Sequence, residues 1–163
     1  MKRNASLAVI LMSVLSYNVI SHGNVLPQGA DSSEMPEIVG GDIDQDGWVF
    51  ENPYRGLEGK IKTKVIKFGE SAYANNCAGC HGLHAQSGGI NPDLRILDPE
   101  NLEDDEWYVE RVRFGSAKGM PAIGGINEET GEAILDQKTL WAIKTYVEER
   151  RVVAIQEGEI EAY

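Results

Sequence analysis

The chain is poor in cysteine, in alternating apolar runs, in long hydrophobic stretches and in positive charge. Only two cysteines occur in 163 residues, which excludes a fold stapled by several disulfides. Few segments alternate over successive β-branched residues, so there is little from which to build a sheet. One marked apolar stretch, Ala5 to Leu15, is too short to serve comfortably as a permanent membrane helix. It follows Lys2 and Arg3, and Val19 and Ser21 come after it at the small-residue spacing a signal peptidase reads. Residues 1–21 are therefore expected to be a cleaved secretory signal, leaving His22 at the new N-terminus and no membrane anchor. Lys and Arg number 15 against 26 Asp and Glu. Losing Lys2 and Arg3 takes the formal net charge from −11 to −13, two positive charges fewer. That surface repels phosphates, which excludes a general nucleic-acid binder. It favours a partner with a basic patch, and association that weakens as salt rises.

What is present suits one small helical domain. Hydrophobic residues make up 42%, enough for a core, and the 18 glycines suggest long loops. Residues 22–63 are rich in Gly, Pro, Asp and Ser without a sustained period and read as an irregular arm. Val25, Leu26, Ile38, Val39, Trp48 and Tyr54 are its candidate anchors. Periodicity starts near Val65: Val65, Phe68, Gly69, Ala72, Tyr73 and Asn76 fall on one helical face. A second stretch is predicted from about Leu102 to Phe114, carrying Trp107, Tyr108 and Val112, with acids in its first turn. Asp136 is a candidate N-cap for a last helix, along which Leu140, Ile143 and Val147 form a stripe with Trp141 and Tyr146 at its edges. Residues 150–163 read as a charged tail, leaving 64–149 as the folded core. A core that small needs something to pack around.

The two cysteines stand in Cys77-Ala78-Gly79-Cys80-His81. Four chemistries compete for this pattern. A disulfide between residues three apart closes a tiny loop and removes little chain entropy. A thioredoxin-like pair needs a strand leading in, and here a helix leads in. A zinc site would have to crowd His84 in with Cys77, Cys80 and His81, with no second pair downstream. Covalent haem attachment fits best: C-x-x-C-H places two thiols on one turn to meet two vinyl groups, and the next imidazole reaches the iron. The other three remain open on the pattern alone.

If haem is bound, its second axial position needs a ligand. His/Met ligation suits electron transfer. Met120, between Gly119 and Pro121 in a loop, is the preferred candidate; Met35 or an open position are the alternatives. The free imidazole N–H of His81 needs an acceptor, and the carbonyl of Pro92 in "INPDLRIL" is well placed, with Leu94 packing on the porphyrin. Arg55, Lys60, Arg95 and Lys118 are candidates for the haem propionates, Arg95 foremost. His84 reads as an exposed loop residue. "DIDQDG", Asp42 to Gly47, opens like a calcium loop, but the twelfth position is Pro53 where a bidentate Glu belongs. A looser Ca2+ site is the minor reading and an acidic turn the major one.

These pieces resemble class I cytochromes c. Gly69 to Tyr73 is similar to the first helix of that family, Cys77 to His81 to its attachment motif, Pro92 and Leu94 to the loop behind the proximal histidine, Gly119-Met120-Pro121 to its methionine loop, and Leu140 to Val147 to its last helix. The resemblance implies an all-α class I cytochrome c fold, three to five helices around one covalent haem c, with Gly69 and Tyr73 meeting the last helix near Tyr146. It implies an electron carrier, not an enzyme. "NPYRG", "SAYANNCAGCHGL" and "SGGINPDLR" resemble more narrowly the soluble c550-like cytochromes that accept electrons from PQQ-dependent alcohol dehydrogenases. That implies a periplasmic monomer with a quinoprotein alcohol dehydrogenase as donor and a downstream cytochrome or oxidase as acceptor. The alternatives are a haem ligand-binding or sensing module and a donor to another periplasmic oxidoreductase.

Overall fold

The computed structural model describes residues 31–162 apart from 128, 130, 132 and 133. The signal-sequence reading of 1–21, His22, Val25 and Leu26 lie outside the described residues. Five helices follow in order: α1 (Gly59–Asn76), α2 (Ala78–His81), α3 (Pro99–Glu103), α4 (Asp105–Phe114) and α5 (Gln137–Gln156). Two short 3-10 turns, Ser32–Glu34 and Leu83–Ala85, complete the regular structure. Among the described residues there is no strand; an isolated bridge joins Ile43 and Val49. The fold is all-α, as the missing alternation predicts.

The frame is the crossing of α1 over α5. A β-carbon on Gly69 would lie 2.0 Å from the Ala142 carbonyl oxygen, so only glycine lets the two backbones approach this closely. One turn on, the rings of Tyr73 and Tyr146 sit 5.4 Å apart in a tilted pair. Two apolar clusters form around this crossing. The first joins Ala72 and Tyr73 of α1, Val112 of α4, and Leu140, Ile143, Tyr146 and Val147 of α5. The second joins Val65, Val109, Trp141 and Ala142 with Met35, Val49 and Tyr54.

Those last three residues belong to the arm, which is built into the core. Of its candidate anchors, Tyr54 is fully buried and Trp48 and Ile38 pack at the edge, whereas Val39 is exposed. Met35 and Val49 take the buried places instead. Polar groups lock the arm down: the Asn52 backbone N–H donates to Asp105 Oδ2 at 2.7 Å, and its Nδ2 donates to Thr145 Oγ1 at 3.1 Å. Arg55 bridges Asp105 at 2.6 Å and Glu148 at 2.8 Å. Lys144, buried under the Tyr108 ring, lies 3.9 Å from Asp105 and 3.8 Å from Glu148; desolvation pulls its pKa down against both carboxylates.

Helix ends differ from the periodicity in three places. α1 begins at Gly59, ahead of Val65, because its first turns are lysine-rich and exposed and carry no apolar face to read. The segment from Leu102 to Phe114 is broken at Asp104, which is extended and caps α4 by accepting from the Trp107 N–H at 2.9 Å. α5 starts at its Asp136 cap but runs past Arg150 to Gln156, burying Ala154.

Candidate functional site

α1 delivers the cysteines. The Cys77 N–H still donates to Tyr73 O at 2.8 Å, and both Cys80 and His81 donate to Cys77 O, at 3.1 and 2.9 Å. The motif is therefore one compact turn, α2, set on the end of α1. Both thiols are free; Cys77 is half-buried and Cys80 exposed. Burial, with the neighbouring Cys80 second, pushes the Cys77 thiol up to about 12. The chain then turns back at Gly82, whose φ is +76°; a β-carbon there would meet Gln86 O at 2.0 Å. Tyr73 donates its hydroxyl to Gly82 O at 2.8 Å and ties the turn to α1.

His81 Nδ1 lies 3.0 Å from the carbonyl oxygen of Pro92. In the tautomer that donates this proton, Nε2 keeps its lone pair for a metal. The Pro92 loop is itself fixed, for Leu94 N–H donates to Ala85 O at 3.0 Å and the Leu94 side chain packs on the first cluster.

Met120 sits in a tight loop. Gly115 at φ +70° leaves no room for a β-carbon, which would lie 2.3 Å from Met120 O. Ser116 N–H donates to Met120 O at 2.9 Å, Gly119 N–H to Ser116 O at 3.0 Å, and Met120 N–H to Ser116 Oγ at 3.3 Å. Met120 is half-buried against the same first cluster that Cys77 and Leu94 touch. Met35, by contrast, is 5% exposed inside the second cluster and is core filler. A thiol pair, an imidazole with its second nitrogen engaged, and a thioether in a stiff loop form a donor set that suits covalent haem. Zinc is a poor match: among the described residues no three His, Cys, Asp or Glu gather to hold an ion.

Arg95, His84 and the acidic turn have partners that local pattern does not show. Arg95 is 3% exposed and engages carboxylates, Asp93 through Nε at 3.1 Å and Nη2 at 2.9 Å, and Glu159 through Nη1 at 2.7 Å. It is a structural clamp in this arrangement, not a cation held out for propionates; the sequence hides this because Glu159 lies far along the chain. Arg55 is likewise engaged, while Lys60 and Lys118 are exposed. His84 is exposed as expected, but at φ +57° its Nδ1 lies 3.3 Å from the Tyr146 hydroxyl. In "DIDQDG", Asp44 and Asp46 receive a guanidinium: Arg113 reaches them at 2.5 and 2.7 Å, stacked 4.9 Å over Trp48. Arg113 thus occupies two of the three aspartates of this turn, Asp44 and Asp46.

Comparison with known proteins places the chain among relatives. Residues 65–147 match the family model described as cytochrome C oxidase, cbb3-type, subunit III. Cytochrome c550 of Pseudomonas aeruginosa is 37% identical over 149 residues, covering 90% of this chain and 94% of that one. Quinohemoprotein alcohol dehydrogenase ADH-IIG of Pseudomonas putida is 53% identical over 38 residues, 23% of this chain and 5% of that one. No solved structure matches. With a family model laid over its crossed helices and a relative alike over nine-tenths of the chain, this chain belongs to the class I cytochromes c, haem c proteins that carry electrons and are not enzymes.

Proposed function

We propose that this protein is a periplasmic carrier with one haem c that takes single electrons from a quinoprotein alcohol dehydrogenase and hands them toward the respiratory chain. The chain's only two cysteines make a single attachment motif, which supports one haem. The stretch shared with an enzyme whose name joins quinone, haem and alcohol oxidation supports the donor. No helix among the described residues is long and apolar enough to cross a membrane.

Haem c supplies the one-electron redox chemistry when bound. The chain's residues do the rest. Cys77 and Cys80 would hold the group by thioethers, and His81 would offer Nε2 while Pro92 O keeps the ring oriented. Met120 would offer its sulfur as the second ligand, and Leu94 and the first cluster, against which Met120 packs, would supply an apolar surround. The observation that carries the reading is the 3.0 Å contact from His81 to Pro92 beside the two free thiols, since it leaves one nitrogen lone pair free for iron. A ligand-sensing role would need Met120 to move away, against the three hydrogen bonds that tie its loop.

Encounter with the donor is steered by charge. Asp42, Glu51, Glu103, Asp104, Asp105 and Glu106 gather around one groove of about 460 Å³, and among its described lining residues Arg55 is the cation. Such a field favours a basic docking patch and a small, short-lived interface. The test mixes ferric holoprotein with a quinoprotein alcohol dehydrogenase and alcohol and follows the visible spectrum. Fast reduction that slows as salt rises is expected. Absence of reduction removes the donor, and a flat salt profile removes the steering.

A further inference from the structure

The end of α5 meets the loop that follows Pro92, at Arg95. Gly158, at φ +72°, stops the helix in a paired pattern: Glu159 N–H donates to Ala154 O at 2.9 Å and Gly158 N–H to Ile155 O at 3.1 Å. The left-handed glycine turns the chain round and brings Glu159 Oε2 within 2.7 Å of Arg95 Nη1. Arg95 keeps its other nitrogens on Asp93, and its side chain is 4% exposed. From within α5, Arg151 donates to the Arg95 carbonyl at 2.6 Å. The peptide 93–95 is thus held by side chain and by backbone, and the residue before it is Pro92.

We infer that Arg151 and Glu159, acting through Arg95 and Asp93, are positioning residues that hold the Pro92 carbonyl on the imidazole of His81. The inference rests on reading His81 as an iron ligand. Its physics is short. The carbonyl draws the Nδ1 proton toward itself and makes the imidazole a stronger donor, which favours ferric iron. The loop carrying Pro92 has no regular structure of its own to fix that contact, because 86–98 contains neither helix nor strand. Ala85 anchors it through Leu94 on one side, and the end of α5 anchors it on the other. Glu159 is 43% exposed, so its charge alone adds little; its value is in completing the set of partners around a buried guanidinium.

Holoprotein labelled with ¹⁵N tests this, as Glu159→Gln and as a chain ending at Gly158, with Glu157→Gln as control. Two quantities are read: solvent exchange of the axial histidine Nδ1–H in the reduced protein by NMR, and the reduction potential. In both clamp variants exchange should be at least fivefold faster. The potential should rise by up to a tenfold change in the one-electron equilibrium, about 59 mV. The control should move neither. A purely structural role would lower the melting temperature and leave both readings at the parent value, and that result overturns the inference. If the Nδ1–H resonance belongs to a residue other than His81, the ligand reading falls and the clamp falls with it.

Discussion

Replacing Gly69 by alanine tests the crossing on which the rest of the fold hangs. The added β-carbon would lie 2.0 Å from Ala142 O, 2.6 Å from the Ala142 carbonyl carbon and 3.1 Å from Tyr146 Cβ. Comfortable contact needs well over 3 Å, so α1 and α5 must part by more than about an ångström in an interior packed to crystal density. The obstacle is backbone, which cannot turn aside as a flexible side chain can. Overpacking that side chains can absorb costs about 1–3 kcal/mol; here about 3 kcal/mol or more is expected. Parting also loosens Tyr73 from Tyr146 and opens both clusters, since each spans the two helices. At about 4 °C per kcal/mol for a domain of this size, the melting temperature should fall by about 12 °C or more. Gly79→Ala is the comparison: nothing lies within 4 Å of its β-carbon, and it sits inside α2. That change should be neutral or stabilise by up to about 1 kcal/mol. Thermal unfolding of both holoproteins by circular dichroism reads the difference. A Gly69→Ala protein within about 1 kcal/mol of the parent would refute the claim that close backbone approach holds this fold together.

Met120→Ala should convert the spectrum to high spin and lower the midpoint potential, because a thioether ligand raises it; an unchanged low-spin spectrum with its far-red sulfur band would assign the ligand elsewhere. In haem-free chain whose helices circular dichroism shows to be formed, alkylation at pH 8 followed by mass spectrometry should label exposed Cys80 before Cys77, whose thiol burial pushes up to about 12; equal rates would contradict the burial. Asp44 is held below the ordinary carboxylate value, first by the Trp48 N–H and, against desolvation, by Arg113. Its folded pKa is the lower one, so its stabilisation is complete above the ordinary value and is lost as pH falls from there through the folded pKa. Trp48 fluorescence should report this acid loosening of the arm, and Asp44→Asn should abolish its pH dependence.

The features legible in the sequence are those whose partners lie within a turn or two. Val65, Gly69, Ala72 and Tyr73 share a face at helical spacing and are all buried. Asp136 caps α5, accepting from the Thr139 N–H at 2.8 Å. The cysteines and His81 depend on a single turn of helix, so their pattern carries its own geometry. Met120 could be singled out because Gly119 and Pro121 flank it, though the contribution of Ser116 and Gly115 to stiffening that loop shows only in three dimensions. α1 reads short because its opening turns are held by exposed lysine-rich chain with no stripe to mark them.

The arm and the tail read as irregular for the opposite reason: what orders them is far away in the chain. Asp44 and Asp46 are calcium-like carboxylates until Arg113 arrives from the end of α4, and no spacing rule connects 46 to 113. Arg95 has the look of a propionate partner until Gly158 turns Glu159 back onto it. Asn52 looks like a loop residue, yet it is buried between Asp105 and Thr145. In each case a buried or half-buried polar group has been matched by one from another element, because leaving it unmatched would cost more than ordering the loop. Segments without periodicity can therefore be as fixed as the helices. In this chain they hold the Asp93–Arg95 stretch and seal the second cluster, so part of what surrounds the attachment motif is fixed by residues that local pattern cannot reveal.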